Sequence, residues 1–534
     1  MKRLTAKPLR PDRLLHLAAW SLLIQASCAL ALPPALRLPP TAAQGTFAAG
    51  TPGSAQVLGA AIADGGDLNG DGRPDFMVAE VPYQGTGETT DHVYAVFDAP
   101  SLIVGGMMDF SRIDGLNGVR VDAPVVDAFG TALAHCDFDG DGIDDLVVGA
   151  PGNLVDNRAL GGVYVIYGSA TGFPAAIDVS ALDPAIGLRI DADPAVIGNQ
   201  AVGASLACRG NATMPGPQDL VVGAPATWNV DGSSGAVYVV YGRADRPRAP
   251  LSLSDLAVGS IVRLDGTLGG SAYLGTGTSV AGVRDFNGDG QADFVFNCRP
   301  TDDVVACVVF GGSPLPATMK VSELAPPTGT FIGAGTSGFG EAHVVGAGSG
   351  IEGGAVGDIL LGTWDANAPG LVYAVFGRAS GVDAPIELGD LDASTGWRVV
   401  ATVGNAASAV SLDASRDLDG DGVVDLLIGT SNAIGPIGRW SYVLSSRLRT
   451  GFSSDVSELD ASTGMAICEE SVSNGSMIAA ETGDVLGTGL PAVLASFGSD
   501  ALSAGAVYVL NGIDRILSSD FDTVPPTREQ ICQY

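Results

Sequence analysis

Apolar residues along this chain fall in short runs rich in β-branched and aromatic side chains, separated by Gly, Pro, Asp and Asn. The stretch 118–168 shows the order best, with runs at 118–121, 129–134, 146–151 and 162–168. Runs of this length and composition predict strands joined by turns. Helices would need longer runs with a period of about 3.6 residues. The pattern therefore predicts an all-β protein with four strands in each repeated unit.

One of these runs, with the form Gly-x-Val-Tyr-Val, returns along the whole chain. Its copies lie at residues 93–97, 163–167, 237–241, 306–310, 372–376, 442–444 and 507–510. They are apolar on both faces, as expected for a small sheet packed between two neighbouring sheets. Units of about 65 to 75 residues with four strands each, closed into a ring, form a β-propeller. A linear β-solenoid is the alternative, but its rungs are normally much shorter.

An acidic nonapeptide, Asp-x-Asp/Asn-x-Asp-Gly-x-x-Asp, occurs four times, and its spacing counts the units. The copies begin at 67, 137, 285 and 417, so they lie 70, 148 and 132 residues apart. The two longer gaps predict degenerate copies between them. Runs that repeat the end of the motif without its acidic loop stand at the expected places and once after the last copy, at 219–225, 358–362 and 484–494. We therefore predict a seven-bladed propeller.

The two ends of the repeat region define the expected domains. Residues 32–48 are an extended lead-in with four prolines, residues 49–520 are the propeller, and residues 521–534 are a C-terminal strap. The last blade needs an outer strand from outside its own unit. Either the lead-in or residues 513–517 supply it, and the sequence leaves both possibilities open.

The first 31 residues resemble a secretory signal peptide. Five basic residues precede an apolar run at 14–24, and residues 29–31 offer an Ala-Leu-Ala cleavage site. Export to the periplasm, the cell surface or the medium is therefore expected. Two alternatives stay open, namely an uncleaved membrane anchor and a lipoprotein attached through Cys28. No later segment is long and apolar enough to span a membrane.

Composition supports this picture and narrows the range of partners. Glycine supplies 75 of 534 residues and charged residues only 16%, so turns are abundant and helices poorly supported. Without residues 1–31 the chain holds 22 basic and 58 acidic residues, a formal net charge of −36. Nucleic acid is not an expected partner, because phosphate binding needs clustered positive charge. We expect the exported chain to be a monomer.

Six cysteines remain once Cys28 leaves with the signal, and an even number in an exported chain suggests disulfides. The candidate pairs are Cys136 with Cys208, Cys298 with Cys307 and Cys468 with Cys532. The first pair occupies nearly equivalent places in consecutive units, and the second flanks a short connection between two runs. Free thiols buried in apolar strands are the alternative.

The order of motifs in the second unit resembles the FG-GAP repeat of integrin α-subunit propellers and of bacterial integrin-α-like secreted proteins. Phe129-Gly130, the acidic loop 137–145 and Gly149-Ala150-Pro151 follow one another as in that repeat. Whole or degenerate copies of the first dipeptide lie at 58–59, 202–203, 274–275 and 339–340. The resemblance covers residues 46–520. EF-hands and dockerins share the start of the acidic motif, but they need flanking helices and a Glu at position twelve.

Alternate carboxylates around a tight glycine turn suit a hard cation such as calcium. The resemblance implies ligands at positions one, three, five and nine, together with the backbone carbonyl of position seven. The implied ligands are Asp67, Asn69, Asp71, Arg73 and Asp75; Asp137, Asp139, Asp141, Ile143 and Asp145; Asp285, Asn287, Asp289, Gln291 and Asp293; and Asp417, Asp419, Asp421, Val423 and Asp425. Glycine at position six, which is Gly72, Gly142, Gly290 and Gly422, permits the turn.

About four calcium ions are therefore expected, in a structural role, because clustered carboxylates repel until a divalent ion bridges them. Magnesium fits less well, since a cage so rich in protein ligands leaves little room for the waters that this ion retains. Solvated turn aspartates without a metal are the alternative.

Neither a Gly-x-Ser-x-Gly elbow nor a His-Glu-x-x-His helix occurs, so we expect no catalytic residues and no enzyme. His135 is the sole histidine near a charged site, and we expect it to be an ordinary inner-strand residue. We expect instead an adhesion or ligand-binding module for an extracellular protein or glycan. The resemblance places ligands on the face opposite the calcium loops, where the candidate binding residues are Asp156, Arg158, Trp228 and Trp364. A secreted calcium-dependent hydrolase or lyase with an active site on the propeller axis is the alternative.

Overall fold

The computed structural model describes residues 35–37, 45–49, 56–82, 90–124, 128–152, 154–155, 158–196, 198–209, 216–228, 234–266, 275–301, 303–312, 314–335, 337, 342–363, 371–400, 407–432, 439–449, 451–456, 459, 462–469, 477–497 and 505–511. Within these ranges the chain is almost entirely β. No helix among them has the length and apolar character needed to cross a membrane.

Seven sheets form a seven-bladed propeller, as the repeat spacing predicted, and in the first four blades the strands run outward from the axis in chain order. Blade one comprises Gln56–Gly66, Asp75–Pro82, Thr90–Val96 and Gly118–Pro124. Blade two comprises Leu133–Cys136, Asp145–Gly149, Gly162–Ile166 and Gly187–Asp191. Blade three comprises Ser205–Arg209, Asp219–Trp228, Ser234–Val240 and Ile261–Asp265. Blade four comprises Val280–Val283, Asp293–Asn297, Val304–Val309 and Gly329–Gly333.

The remaining three blades follow the same antiparallel order. Blade five comprises Ala342–Gly348, Asp358–Thr363, Leu371–Val375 and Gly396–Val400. Blade six comprises Ala407–Asp413, Leu426–Asn432, Arg439–Leu444 and Gly464–Glu469. Blade seven comprises Met477–Thr482, Ala492–Phe497, Ala506–Leu510 and Gly45–Ala49.

The ring closes through the fourth strand of blade seven, which comes from the N-terminal side of the repeats. Gly45–Ala49 runs antiparallel to Ala506–Leu510, with Phe47 opposite Tyr508. This strand is one of the two possibilities that the sequence left open, and the other, residues 513–517, lies outside the described residues. Closure with a strand from the opposite end of the chain joins the two termini of the repeat array.

Each sheet also carries a short strand beyond its fourth, which the four-strand prediction did not include. This strand is parallel to the fourth, and in blades one to five it comes from the segment between the third and fourth strands of the next blade. The added strands of those blades are Ala176–Asp178, Leu251–Ser252, Thr318–Lys320, Ile386–Glu387 and Ser453–Asp455. Blade six receives Ala35–Arg37, and blade seven receives Met107–Met108, which pairs with Ile103–Val104. Every described blade is thus clamped to the next at its outer edge.

The remaining regular elements are short. They are the helix Ala99–Leu102, the hairpin of Leu154–Val155 with Arg158–Ala159, and the 3-10 turns Phe110–Arg112, Val179–Ala181, Val321–Glu323, Leu388–Asp390 and Ser446–Leu448.

The hydrophobic core lies between blades. All five residues of Gly162–Ile166 are buried, as predicted for a strand that is apolar on both faces. One apolar cluster joins Val147 and Val165 of blade two to Val222 and Tyr238 of blade three. Because each sheet covers its neighbours in this way, a single repeat cannot bury its own faces and the whole ring forms one unit.

Two of the three candidate disulfides are present. Cys136–Cys208 joins the innermost strands of blades two and three, and Cys298–Cys307 spans the connection between the second and third strands of blade four. Free thiols are therefore the wrong alternative for these four cysteines. The third candidate pair involves Cys532, which lies outside the described residues.

Candidate functional site

The four acidic nonapeptides connect the first and second strands of blades one, two, four and six. We name them by blade: loop one is 67–75, loop two 137–145, loop four 285–293 and loop six 417–425. Because every connection between a first and a second strand leaves the same end of its blade, the four loops lie on one face of the ring, close to the axis. The tertiary structure thus gathers onto one face the segments that the chain spreads over several hundred residues.

Backbone conformation and the position-one carboxylate shape each loop. Gly142 has a φ of +91°, and a Cβ there would meet no atom within 4 Å, so the positive φ rather than crowding selects glycine. In loop one the Asp67 carboxylate accepts the backbone N–H groups of Asp71 at 3.0 Å and Gly72 at 2.9 Å. Asp285 makes the same two contacts in loop four, both at 2.8 Å. These hydrogen bonds fix the conformation of the turn.

Position nine is a buried anchor for the rest of the loop. The Asp145 carboxylate accepts the N–H of Phe138 at 2.9 Å and that of Gly168 at 2.8 Å. The same contact to position two recurs at 2.7 to 2.8 Å in the other three loops, at Leu68, Phe286 and Leu418. All four position-two side chains are buried, which sequence reasoning missed. The recurring apolar residue at position two was the signal available for finding them.

Burial gives the position-nine carboxyls unusual electrostatics. Desolvation raises the pKa of Asp75 and Asp145 to about 8, and neighbouring carboxylates of the same loop add to it. The same causes raise the pKa of Asp293 and Asp425 to about 7. One carboxylate oxygen of Asp75 and one of Asp425 are buried without a hydrogen-bond donor. A cation bound within the loop would satisfy these acceptors.

The structure brings the loop carboxylates together. In loop two, one oxygen from each of Asp137, Asp139 and Asp141 lies within 4.8 Å of the others, and loop six does the same with Asp417, Asp419 and Asp425. Asp137 also has an oxygen that is buried and accepts no hydrogen bond. Oxygen-only ligands converging from a flexible loop suit calcium. The residues present therefore fit the ion that the motif implies.

Two degenerate loops keep the same turn without the acidic set. In blade seven, Asp484 accepts the N–H groups of Thr488 and Gly489, both at 2.6 Å, as Asp67 does in loop one. In blade five, Asp358 accepts the N–H of Ile351 at 2.7 Å, as Asp75 accepts that of Leu68. The loop fold is therefore compatible with sequences that lack the other carboxylates.

A second group of polar side chains lies where the first strands meet. Residues of all seven first strands and the turns beside them line an axial cavity of about 740 Å³, including His135 and Asp64. The Nδ1 atom of His135 lies 3.3 Å from Asp144, and Arg416 lies 2.6 Å from Asp64. Burial opposes protonation of His135, but the nearby carboxylates outweigh it and raise the pKa of the imidazole. His135 is an inner-strand residue as expected. Its side chain is 37% exposed overall, but its Nδ1 atom beside Asp144 is buried.

A pair of carboxyls, Glu481 fully buried and Asp413 half-buried, joins blades six and seven beside this cavity. Glu481 accepts the N–H groups of Ser415 at 2.9 Å and Arg416 at 2.7 Å, and its own N–H donates to Asp413 at 3.1 Å. Burial, and then repulsion between the two carboxylates, raises the pKa of Glu481 well above its usual value. Burial also raises the pKa of Asp413 to about 6. The pair therefore retains a proton in conditions where ordinary carboxyls have lost theirs.

His135 is not the sole histidine near a charged group, which corrects the sequence interpretation. The Nδ1 atom of His92 lies 2.6 Å from Asp122, which also contacts Arg120 at 2.7 Å. His92 and Asp122 are directly opposite each other on the third and fourth strands of blade one. The pair lies 30 residues apart in the chain, so only strand pairing reveals it.

Three of the four candidate binding residues of the opposite face stand between the second and third strands of their blades in the sequence, and Trp228 ends the second strand of blade three. Asp156 and Trp364 lie outside the described residues. Arg158 and Trp228 have described backbone in Arg158–Ala159 and Asp219–Trp228, but their side chains do not. These four residues stay predictions.

Comparison with known families supports the repeat assignment. A family model described as FG-GAP repeat matches residues 129–166. This span runs from Phe129 through loop two to the end of the third strand of blade two. The matched segment is therefore the unit in which the sequence resemblance is most complete.

Three curated relatives are described as phosphatidylinositol-glycan-specific phospholipase D. The Mus musculus protein is 36% identical over 111 residues, which is 20% of this chain and 12% of that protein. The Bos taurus protein is 37% identical over 114 residues, 20% and 13% of the two chains. The Rattus norvegicus protein is 31% identical over 175 residues, 32% and 18% of the two chains. The matched part of this chain spans less than a fifth of each relative.

Among solved structures, the hemagglutinin-neuraminidase ectodomain of parainfluenza virus 5 aligns over 94% of this chain and 95% of its own. The TM-score is 0.35 and the sequence identity 7%. A likeness this weak carries no conclusion about the present chain.

Proposed function

Because this chain is an FG-GAP-repeat β-propeller, we propose that it is a secreted calcium-binding module that recognises an extracellular protein or glycan. The observation that carries the proposal is the convergence of loop carboxylates on one face of the ring, with Asp137, Asp139 and Asp141 as the clearest case. Such a cluster repels itself unless a cation or a buried proton compensates it.

Each loop would hold one ion through positions one, three, five and nine and the carbonyl of position seven. Bound calcium would supply positive charge and cross-link the two ends of the loop. The chain itself supplies the turn through glycines at positive φ and the anchor through the buried position-nine residue. Calcium in this proposal braces the connection between the first and second strands, and so the wall of the axial cavity.

Recognition is assigned to the face opposite the acidic loops. Asp156, Arg158, Trp228 and Trp364 remain its candidate contact residues, since aromatic and arginine side chains dominate the energetics of binding surfaces. Calcium would act on this face indirectly, by holding the blades that carry the connections.

Export belongs to the same proposal. Residues 1–31 would be the signal peptide and 32–48 the lead-in, with the propeller over 49–520 and a strap over 521–534. The two disulfides support an oxidising location, where such bonds persist.

Calcium dependence is tested on the full exported chain by thermal unfolding and isothermal titration. We expect about four bound ions and a melting temperature that falls when excess chelator replaces calcium, since an ion that binds only the folded state stabilises it. An unchanged melting temperature in chelator would remove calcium from the proposal. Screening on protein and glycan arrays, with and without calcium, then tests recognition.

A second candidate function is hydrolysis or elimination at the axis, on a polysaccharide or a phosphodiester. It is favoured by the arrangement of His135, Asp144, Asp64 and Arg416 beside the axial cavity. The relatives described as a phospholipase D give one substrate class for a panel of phosphodiesters. Turnover that is lost in H135A and retained in H92A would favour this function over binding alone.

A further inference from the structure

Two of the four acidic loops are contacted by an arginine at the same two positions. In loop two, the guanidinium of Arg246 donates to Asp139 at position three and, at 2.8 Å, to Asp141 at position five. In loop six, Arg447 lies 3.1 Å from Asp419 at position three and 3.3 Å from Asp421 at position five. The two arginines reach the same pair of carboxylates from different parts of the fold.

The arginines come from unrelated segments. Arg246 follows the third strand of blade three and reaches across to blade two, more than a hundred residues back along the chain. Arg447 lies in the turn Ser446–Leu448, which follows the third strand of its own blade six. The shared feature is thus the contact itself rather than a repeated sequence position.

The other two loops satisfy the same acceptor from within. Loops one and four have Asn at position three, and its amide donates to the position-five carboxylate. These contacts are Asn69 to Asp71 at 3.2 Å and Asn287 to Asp289 at 3.0 Å. An Asp at position three has no such donor to offer, and the arginine supplies one in its place.

The segments that pack on three of the loops allow a direct comparison of the arginine with position three. A backbone N–H after the third strand of the next blade donates to the position-two carbonyl in three loops, from Ser169 to Leu68, Arg243 to Phe138 and Arg378 to Phe286. Three residues beyond these donors stand Gly172, Arg246 and Gly381. At this place in the three segments, arginine stands only over loop two, which has Asp at position three. The segment over loop six continues past residue 511, outside the described residues.

The formal charges at the ligand positions agree as a result, when Arg73 of loop one and Asp144 of loop two are left out because neither side chain is an implied ligand. Loops one and four each contribute three carboxylates at positions one, five and nine. Loops two and six contribute four, and the contacting arginine brings the sum to the same −3. An extra carboxylate and an arginine thus occur together.

We propose that Arg246 and Arg447 are internal counter-ions of the two four-carboxylate loops, which stabilise these loops without a metal and lower their calcium affinity. This inference rests on the proposed calcium binding. The arginine holds the two carboxylates that an incoming ion must engage, and its positive charge opposes the ion at short range. Loops two and six therefore form a separate class of site from loops one and four.

The test compares the wild type with R246Q, the double variant D139N/R246Q and the control R243Q. Arg243 lies on the same segment, but its guanidinium pairs with Asp245, 76% exposed, and not with the loop carboxylates. Its backbone contact to Phe138 is kept in R243Q. The guanidinium of Arg246 also lies over the Tyr167 ring, 4.6 Å from its centroid, and both variants lose this contact. Only the double variant also returns loop two to three carboxylates, so it separates the effect of charge from the loss of the ring contact. The measurements are the melting temperature in chelator and the calcium isotherm of the full chain.

We expect R246Q to melt lower than R243Q in chelator and to bind calcium roughly three- to tenfold more tightly at one of its sites, as loss of a partly exposed ion pair implies. D139N/R246Q should recover part of the melting temperature and return the affinity towards the wild type. An R246Q protein that matches R243Q in both measurements would overturn the role of the arginine. A wild-type chain that takes up no calcium would contradict the proposed function instead. The melting temperatures in chelator would still test whether Arg246 stabilises loop two without a metal.

Discussion

The carboxylate of Asp145 accepts two backbone N–H groups, from Phe138 at 2.9 Å and from Gly168 at 2.8 Å, and so ties the acidic loop of blade two to the segment that follows the third strand. Asp358 does the same in blade five, with Ile351 at 2.7 Å and Gly377 at 3.0 Å, although its loop lacks the other aspartates. Position nine therefore has a structural role that does not depend on a metal, beside its proposed role as a ligand.

These two residues form a matched pair for mutation. D145A and D358A should each lower the free energy of unfolding by about 3 kcal/mol, because two buried N–H groups lose their acceptor. Only D145A should also lose a bound calcium ion. Chemical denaturation in chelator and the calcium stoichiometry check both parts. Equal calcium stoichiometry in the two variants would contradict the assignment of Asp145 as a ligand.

The glycine at position six gives a second prediction. G142A should lower the free energy of unfolding by about 1 kcal/mol, because Gly142 has a φ of +91° that a residue with a Cβ resists. Gly451 lacks a positive φ, and a methyl group added there would meet no atom within 4 Å, so G451A is the control and should change little. Urea unfolding of the three proteins measures the difference. A stable G142A would mean that the loop relaxes to another turn.

Stability should depend on pH through Glu481 and Asp413. The pKa values of both carboxyls are raised by burial, to about 6 for Asp413, so the folded chain holds more protons than the unfolded one. The free energy of unfolding therefore falls as pH rises from about 4 through 6 and above. E481Q mimics the protonated acid and should flatten this fall, so its stability relative to the wild type should increase towards pH 8.

Denaturant unfolding of E481Q and the wild type between pH 5 and pH 8 measures this effect. D255N serves as control, because Asp255 is an exposed carboxylate away from the pair. Parallel pH profiles for the wild type and E481Q would show that the pair carries no proton linkage.

The two disulfides should differ in their contribution. Cys136–Cys208 closes a separation of 72 residues between two blades, whereas Cys298–Cys307 closes a separation of 9 within one blade. Loop-closure entropy predicts a loss of about 4 kcal/mol for C136S/C208S and about 3 kcal/mol for C298S/C307S. Thermal unfolding of both double variants gives the comparison. A larger loss for the shorter bridge would show that local packing outweighs chain entropy.

Local sequence was informative where the signal is periodic. The alternation of short apolar runs with Gly, Pro, Asp and Asn set the strands, and the spacing of the acidic motif counted seven blades. Loop residues such as Asp67 and Gly72 were identified because each loop is one continuous segment. Strand formation, turn chemistry and loop conformation depend on neighbours within a few residues, and the pattern records those neighbours directly.

The tertiary structure alone decided the contacts between distant segments. It showed that Gly45–Ala49 is the closing strand and that each of blades one to five receives an edge strand from the next blade. It also placed Arg246 against Asp139 and Asp141, which lie more than a hundred residues away in the chain. It further showed that the Asp145 carboxylate is buried and accepts two backbone N–H groups. Such contacts arise from packing and the closure of the ring, so no local pattern in the chain specifies which partner each residue meets.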